Sequence, residues 1–364
     1  MTVAHINRIG AAVPDHDIHA SFIAFARTLL AEKTRAVFDR MAERSGIAHR
    51  YSAFRPGDIA GGEVDADGFY RRGRFPGTAA RMALYEQDAL ALALRAVETL
   101  VLTVERERIT HLVVASCTGF TAPGLDLQLA SRLGLRPDVE RTLIGFMGCS
   151  AAVPALRLAH HAVRSDPAAR VLVVNLELCT LHLQETSDLE TVLSFLLFGD
   201  GCAAALVTAE PAGIALGDFC AAVIPDTADL ITWQIGEQGF RMHLSGKVPG
   251  RIAQALRAEL ARPDADGILR GQGTQAVDLW AVHAGGRTVL DAVETGLALQ
   301  PSALRQSRAV LQDCGNMSSA TLMFVLQRML RERESGDIAS GARGLAVAFG
   351  PGMVAETFRF ALAG

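Results

Sequence analysis

RTLIGFMGCSAAVPALRLAHHAV, residues 141–163, decides how this chain folds. An apolar run ends in Gly145, Phe146, Met147 and Gly148; Cys149 follows, and then a run of small residues suited to a helix. Pro154 is compatible with a helix only near its first turn, so it fixes a helix start close to Cys149. The segment therefore reads as strand, tight turn and helix, with a thiol at the turn. There the sulfur feels the positive end of the helix dipole and the unpaired N–H groups of the first turn. Both favour thiolate, the reactive form. Unassisted, a cysteine with a pKa of about 8.5 is only a few per cent thiolate at neutral pH. A buried structural cysteine would leave the same local pattern, so the choice rests on what surrounds it.

Outward from this unit, apolar runs alternate with helical patterns. Buried strands are expected at 111–116, 170–178, 203–208, 279–285 and 344–350, and helices at 83–101, 150–164, 250–262, 286–298 and 318–332. That alternation implies α/β layers with helices on both faces of a sheet. Two stretches look alike: Cys149 opens a helix followed by ARVLVVNLE, and Asn316 opens a helix followed by ARGLAVAFG. They are what two copies of one α/β unit would leave behind. The join falls near Thr208–Gly213, where the sequence turns polar and carries Pro211, giving halves of 1–210 and 211–364.

A chain of 364 residues can bury roughly three-quarters of its unfolded surface and needs no staple. The net charge of −4, without a basic stripe, argues against nucleic acid. No apolar run reaches the length of a membrane span, and the N-terminus lacks the charged start and apolar core of a signal peptide. The six cysteines form no CxxC pair, so no metal site is expected, and they read as reduced thiols of a cytoplasmic protein.

WAVHAGGRTVL places His283 at a strand end before two glycines, and CGNMSSATLMF places Asn316 at a helix start. Alone, the first is an ordinary structural histidine and the second an ordinary N-cap. With Cys149 they suit a decarboxylative Claisen condensation. The thiol carries an acyl group, and the imidazole and the amide donate to the enolate oxygen that forms when a malonyl thioester loses carbon dioxide. Papain-like proteases also use Cys, His and Asn. In this chain each of the three closes its own α/β strand, which does not suit that fold.

The segments LGLRPDVERTLIGFMGCSAA, LLFGDGCAAALV, GFRMHLSGKVPG, VHAGG, CGNMSSAT and AFGPGM resemble type III polyketide synthases, the chalcone-synthase-like enzymes, in order and spacing over nearly the whole chain. The resemblance implies the five-layered αβαβα thiolase fold with two pseudo-duplicated halves, a homodimer, and iterative condensation of malonyl-CoA onto an acyl-CoA starter. It implies coenzyme A thioesters as substrates and no cofactor. Cys149 matches the family nucleophile, His283 and Asn316 its oxyanion pair, and Phe198 its gating phenylalanine. Gly350, Pro351 and Gly352 match the loop that shapes the cyclisation cavity.

Departures from the plant pattern carry further expectations. Met242 stands where plant members carry a second gating phenylalanine, and Trp233 falls near a position often small, which narrows the cyclisation pocket. Thr118, Ala122 and Cys179 resemble positions lining the acyl tunnel of bacterial long-chain alkylpyrone synthases. Burying a fatty tail there contributes about 0.8 kcal/mol per methylene. Cys117 is read as a cavity-wall residue or a second reactive thiol, and His182 as lining the same cavity. TRAVFDRMAERSG reads as an amphipathic helix with Val37, Phe38 and Met41 facing inward. Arg40 and Arg44 match family cations that meet the nucleotide phosphates, with Arg35 substituting for a third position occupied in this chain by Val37. Two other readings keep the fold: a ketoacyl-ACP synthase performing one condensation, and a non-catalytic acyl-CoA-binding protein. Starter length, number of extensions, lactone or aldol closure, and malonyl or methylmalonyl as extender stay open in the sequence.

Overall fold

The computed structural model describes residues 2–102, 106–262 and 267–363. Its strands are β1 (Ala4–Ala12), β2 (His16–Asp17), β3 (Tyr51–Ser52), β4 (His111–Ser116), β5 (Glu140–Gly145), β6 (Val171–Leu178), β7 (Asp200–Thr208), β8 (Ile214–Val223), β9 (Ile231–Gly236), β10 (Gly239–Leu244), β11 (Leu279–Val282), β12 (Arg343–Gly350) and β13 (Val354–Leu362). Its α-helices are α1 (His19–Leu29), α2 (Glu32–Glu43), α3 (Thr78–Glu98), α4 (Leu125–Leu133), α5 (Ala152–Ser165), α6 (Leu189–Leu197), α7 (Val248–Leu260), α8 (Arg287–Gly296), α9 (Arg305–Cys314) and α10 (Ala320–Glu334).

Nine strands form one mixed sheet in the order β11-β12-β13-β8-β1-β7-β6-β4-β5. Counted from the middle, β1-β7-β6-β4 and β8-β13-β12-β11 run alike. In each, the first two pairings are antiparallel and the third is parallel. The halves meet where Ala4–Ile6 pairs with Ile214–Leu216. Between their faces lie α5 and α10, whose fully buried Leu156, Val163, Met323 and Leu326 share one core with β1, β6, β7 and β12 residues. On the outside, α3 and α4 cover the first half and α7 and α8 the second. These are the five layers of the thiolase fold. Every residue of β6 and β7 is buried, which explains their continuous apolar runs.

Several expectations are corrected. The helix expected from residue 150 is preceded by a 3₁₀ turn, Gly148–Ser150, and starts at Ala152. The strand expected over 279–285 ends at Val282, because the chain turns at His283 and Gly285. Helix α3 starts five residues earlier than expected, at Thr78. Helix α2 departs from its expected inward face at two positions: Val37 and Met41 are 45% and 43% exposed, and Phe38 and Ala42 are the buried pair. The β9–β10 hairpin gives no periodic apolar signal, since only its Ile231, Gly239 and Phe240 are buried.

Leu326 is fully enclosed between the two sheet halves. Leu326→Ala should lower unfolding free energy by about 2–5 kcal/mol. Denaturant titration measures this, and a loss below about 1 kcal/mol would contradict a close-packed central layer.

Candidate active site

The nucleophile turn and the chain after β11 open at the carboxyl ends of parallel strands β5 and β11, the usual ligand side of such sheets. Asn316, expected to close a strand of its own, instead follows helix α9 and makes a single parallel bridge to Phe198. Gly148 has φ +56° and packs so closely on Pro351 that an added Cβ would lie 2.5 Å from that ring. Gly350 likewise rests on Ser150, where a Cβ would meet Oγ at 2.3 Å. The AFGPG loop therefore holds the Cys149 turn from behind. Cys149 Sγ lies 3.9 Å from Asn316 Nδ2 and 4.0 Å from Oδ1. Asn316 is fixed on every side. Its Oδ1 accepts the Ser318 N–H at 2.8 Å, Nδ2 donates to Gly285 O at 3.2 Å, and its own N–H donates to Leu197 O at 2.8 Å.

His283 is 2% exposed, and neither ring nitrogen has a hydrogen-bond partner among the described residues. A buried polar group without a partner is costly. Both nitrogens belong to a residue lining the same cavity as Cys149 and Asn316, so a group entering that cavity can satisfy them. Burial pushes the imidazole down to about 3, which leaves it neutral. Burial also pushes the Cys149 thiol up to about 11; Glu177 acts in the same direction, while hydrogen bonds from Ser318 and Asn316 oppose it. Desolvation thus works against the expected helix-terminus assistance at Cys149 and favours the uncharged form of both side chains.

The cavity contains about 820 Å³ of atom-free space, part of it open to solvent. Of the residues singled out from sequence, Cys117, Thr118, Cys149, Cys179, Phe198, Trp233, Met242, His283, Asn316 and Pro351 line it. Trp233 Nε1 donates to Cys117 O at 2.7 Å, and Cys117 Sγ accepts the Gly148 N–H at 3.0 Å. Burial raises the Cys117 thiol well above its ordinary range, which favours the wall residue over the second nucleophile.

Other expected positions lie elsewhere. His182 is fully buried behind the wall, stacked on Phe240 at 4.2 Å between ring centroids, because its two nitrogens are taken by Thr118 O and the Phe240 N–H. Ala122 is exposed beside Pro123 and does not line the Cys149 cavity. Gly350 and Gly352 support the wall without lining it. A neighbouring cavity shares Leu244, Val248, Gly285 and Val289 with the first and is lined by Arg44 and Arg287 as well. Arg40 and Arg35 do not line it, and Arg35 Nη2 donates to Leu30 O at 3.1 Å, at the end of α1.

Three charged residues escaped the sequence reading. Glu177 is fully buried; it accepts from the Cys117 N–H, Thr118 Oγ1 and Ser319 Oγ at 3.0, 2.9 and 2.6 Å. Burial raises its carboxyl to about 7. A carboxylate inside the apolar run RVLVVNLEL was the available signal. Arg287, directly after two glycines at a helix start, was another. Arg50, in HRY, gave none.

Fold and cavity together define a thiolase-fold enzyme with Cys, His and Asn around one buried chamber. The chain belongs to the chalcone and stilbene synthase family. The family's N-terminal domain matches residues 2–211 and its C-terminal domain residues 218–361. The chain is 33% identical, over 99% of its length and 91% of the relative's, to "Alpha-pyrone synthesis polyketide synthase-like Pks18" of Mycobacterium tuberculosis. The crystal structure of PKS-I from the brown alga Ectocarpus siliculosus matches with TM-score 0.86 and 33% identity, covering 100% of this chain and 99% of that one. CsyB complexed with CoA-SH has the same fold, at TM-score 0.86, 23% identity and 99% and 100% coverage. The protein is a type III polyketide synthase. Among the described residues, no cluster of His, Cys, Asp and Glu could hold a metal, and no helix is long and apolar enough to cross a membrane.

Because the free thiol sits near 11, its alkylation should follow thiolate fraction. The iodoacetamide rate at Cys149, read by peptide mass mapping without substrate, should rise about tenfold per pH unit between roughly pH 7 and pH 10. A plateau near pH 8 would show that burial does not control this thiol.

Proposed function

We propose that Cys149, His283 and Asn316 carry out iterative condensation of malonyl-CoA onto a fatty-acyl-CoA starter, with closure to an alkylpyrone or alkylresorcinol. The observation that carries the reading is the 3.9 Å approach of the Asn316 amide to the Cys149 sulfur in a cavity where both His283 nitrogens are free. In the first step Cys149 attacks the starter thioester. Its proton passes to the neutral imidazole and on to the departing coenzyme A thiolate, giving acyl-S-Cys149 and free coenzyme A. Malonyl-CoA then loses carbon dioxide, and the electron pair of the broken C–C bond moves onto the thioester oxygen as an enolate. His283 and Asn316 donate to that oxygen. The enolate carbon attacks the acyl carbonyl, a C–C bond forms, the C–S bond to Cys149 breaks, and the chain returns to coenzyme A two carbons longer. After repeated rounds, attack by an enol oxygen on the thioester closes a pyrone and expels coenzyme A, whereas attack by a chain carbon on a ketone, with loss of water, hydrolysis of the thioester and loss of carbon dioxide, closes a resorcinol ring.

The half 1–210 then supplies the nucleophile, and 211–364 both donors. Arg44 and Arg287, at the outer cavity, face the nucleotide end of coenzyme A, and Arg40 adds positive charge in the last turn of α2, which Arg44 caps. Homodimer formation is supported by the sheet edge at β5, which carries exposed Leu143 beside exposed Phe120, Leu127 and Met147. A fatty starter is supported by a second cavity that shares Cys179, Phe195 and Phe198 with the first. Its walls include Phe22, Phe54, Ile59, Val64 and Leu183.

Product mass spectrometry with acyl-CoA starters from short to long, without carrier protein, tests iteration; a single 3-oxoacyl product would favour the one-condensation synthase. In the same assay Val64→Trp, which fills the second cavity, should cut kcat/KM for long starters while sparing short ones. Three methylenes left unburied lose about 2.4 kcal/mol, roughly fiftyfold. Equal loss across the series would remove the tail from that cavity. Cys149→Gln should abolish extension and keep malonyl-CoA decarboxylation; loss of both would mean that the thiol also serves the decarboxylation step.

A further inference from the structure

We propose that Arg50 is a positioning residue that sets the Asn316 amide against the Cys149 sulfur. This rests on the reading of Asn316 as an enolate donor. Arg50 is 1% exposed; it does not line the cavity that holds Cys149 but forms part of the wall of the second cavity, and its Nη2 has no hydrogen-bond partner among the described residues. Its Nη1 donates to Phe195 O at 2.8 Å and to Phe198 O at 2.5 Å, and its Nε donates to His19 Nδ1 at 3.0 Å. The guanidinium lies 4.7 Å above the Phe22 ring centroid. The two carbonyls belong to the last turn of α6 and the residue that ends it, so the cation sits at the negative end of that helix. One nitrogen bridging two carbonyls fixes the direction in which the chain leaves α6.

That departing chain is what Asn316 hangs on. The Asn316 N–H donates to Leu197 O at 2.8 Å, and the Gly199 N–H donates to Asn316 O at 3.0 Å. Phe198, between these two residues, forms a parallel bridge with Asn316. Arg50 also presses on both strands of this junction from the side. A Cβ on Gly315 would meet Arg50 Cγ at 2.7 Å, and one on Gly199 would meet Arg50 Cβ at 3.4 Å. Gly315 has φ +68°, so glycine is required there twice over. The resulting path runs from Arg50 through Phe198 and Asn316 to the sulfur.

Lysine could keep the charge but not the geometry. An ammonium group lacks the planar fork that reaches His19 and the two carbonyls together. Among the described residues no carboxylate pairs directly with this guanidinium; Asp17 takes the Arg50 backbone N–H at 3.2 Å, and Asp200 is held by Thr180 and the Ala53 N–H. The carbonyls of α6 and the imidazole of His19 therefore supply the contacts that keep the buried charge in place.

The test is Arg50→Lys in the full-length protein, read by two assays. Malonyl-CoA decarboxylation depends on the Asn316 amide directly, whereas iodoacetamide labelling of Cys149 feels that amide only as one of several contacts on the sulfur, beside Ser318 and the backbone. The decarboxylation kcat should fall by roughly ten- to a hundredfold, the scale expected of an ångström-sized misplacement. The KM for malonyl-CoA and the labelling rate per folded molecule should stay within about twofold of wild type. Parallel loss of both signals, or no loss of either, would overturn the proposal. If Arg50→Lys does not fold, His19→Ala decides, because it removes the acceptor that orients the guanidinium through Nε and should give the same split at smaller amplitude. A wild-type protein without any malonyl-CoA decarboxylation would instead sink the enolate reading on which the proposal rests.

Discussion

The site depends on the burial of two helices, α5 and α10, between the two halves of one sheet. Each brings its first turn to the same end of the sandwich, so Cys149 and Asn316 meet although 167 residues separate them. Neither helix can shift without opening a core in which Leu156, Val163, Met323 and Leu326 are fully enclosed. Close packing of that kind transmits position rather than absorbing error. It can hold an amide and a thiol in register without a direct covalent or ionic link between them.

Burial has a chemical consequence as well as a mechanical one. It encloses His283 fully and Cys149 in large part, and each then favours its uncharged form. Glu177, also fully buried, binds Cys117 and Thr118 on one side and Ser319 on the other. It ties a loop of the first half to the α10 start of the second, beside the same sulfur.

Buried polar side chains divide the site into what reaches substrate and what holds the frame. His283 keeps both nitrogens free. His182 spends both on protein groups and backs the wall. The two histidines are alike in sequence setting, each after an apolar strand, and only their partners separate them. Trp233 and Cys117 are coupled through a hydrogen bond from indole to backbone, so the width of the cavity is a property of strand β9 and the end of β4 together.

The sequence by itself determined the alternation of strands and helices and singled out Cys149, His283 and Asn316, because apolar period, glycines and Pro154 act over a few residues. The resemblance to the family, carried by short motifs, marked Phe198, Trp233, Met242, Thr118 and Cys179, and all five line the cavity. Only the tertiary structure decided which side of α2 faces inward, that Ala122 and His182 do not line the chamber of this chain, and that Arg50 and Glu177 brace it. Those outcomes depend on contacts between residues far apart in sequence, such as Arg50 with Phe198 and Glu177 with Ser319. Desolvation is likewise a property of the assembled core, so the direction of the Cys149 and His283 shifts could not be read from local sequence.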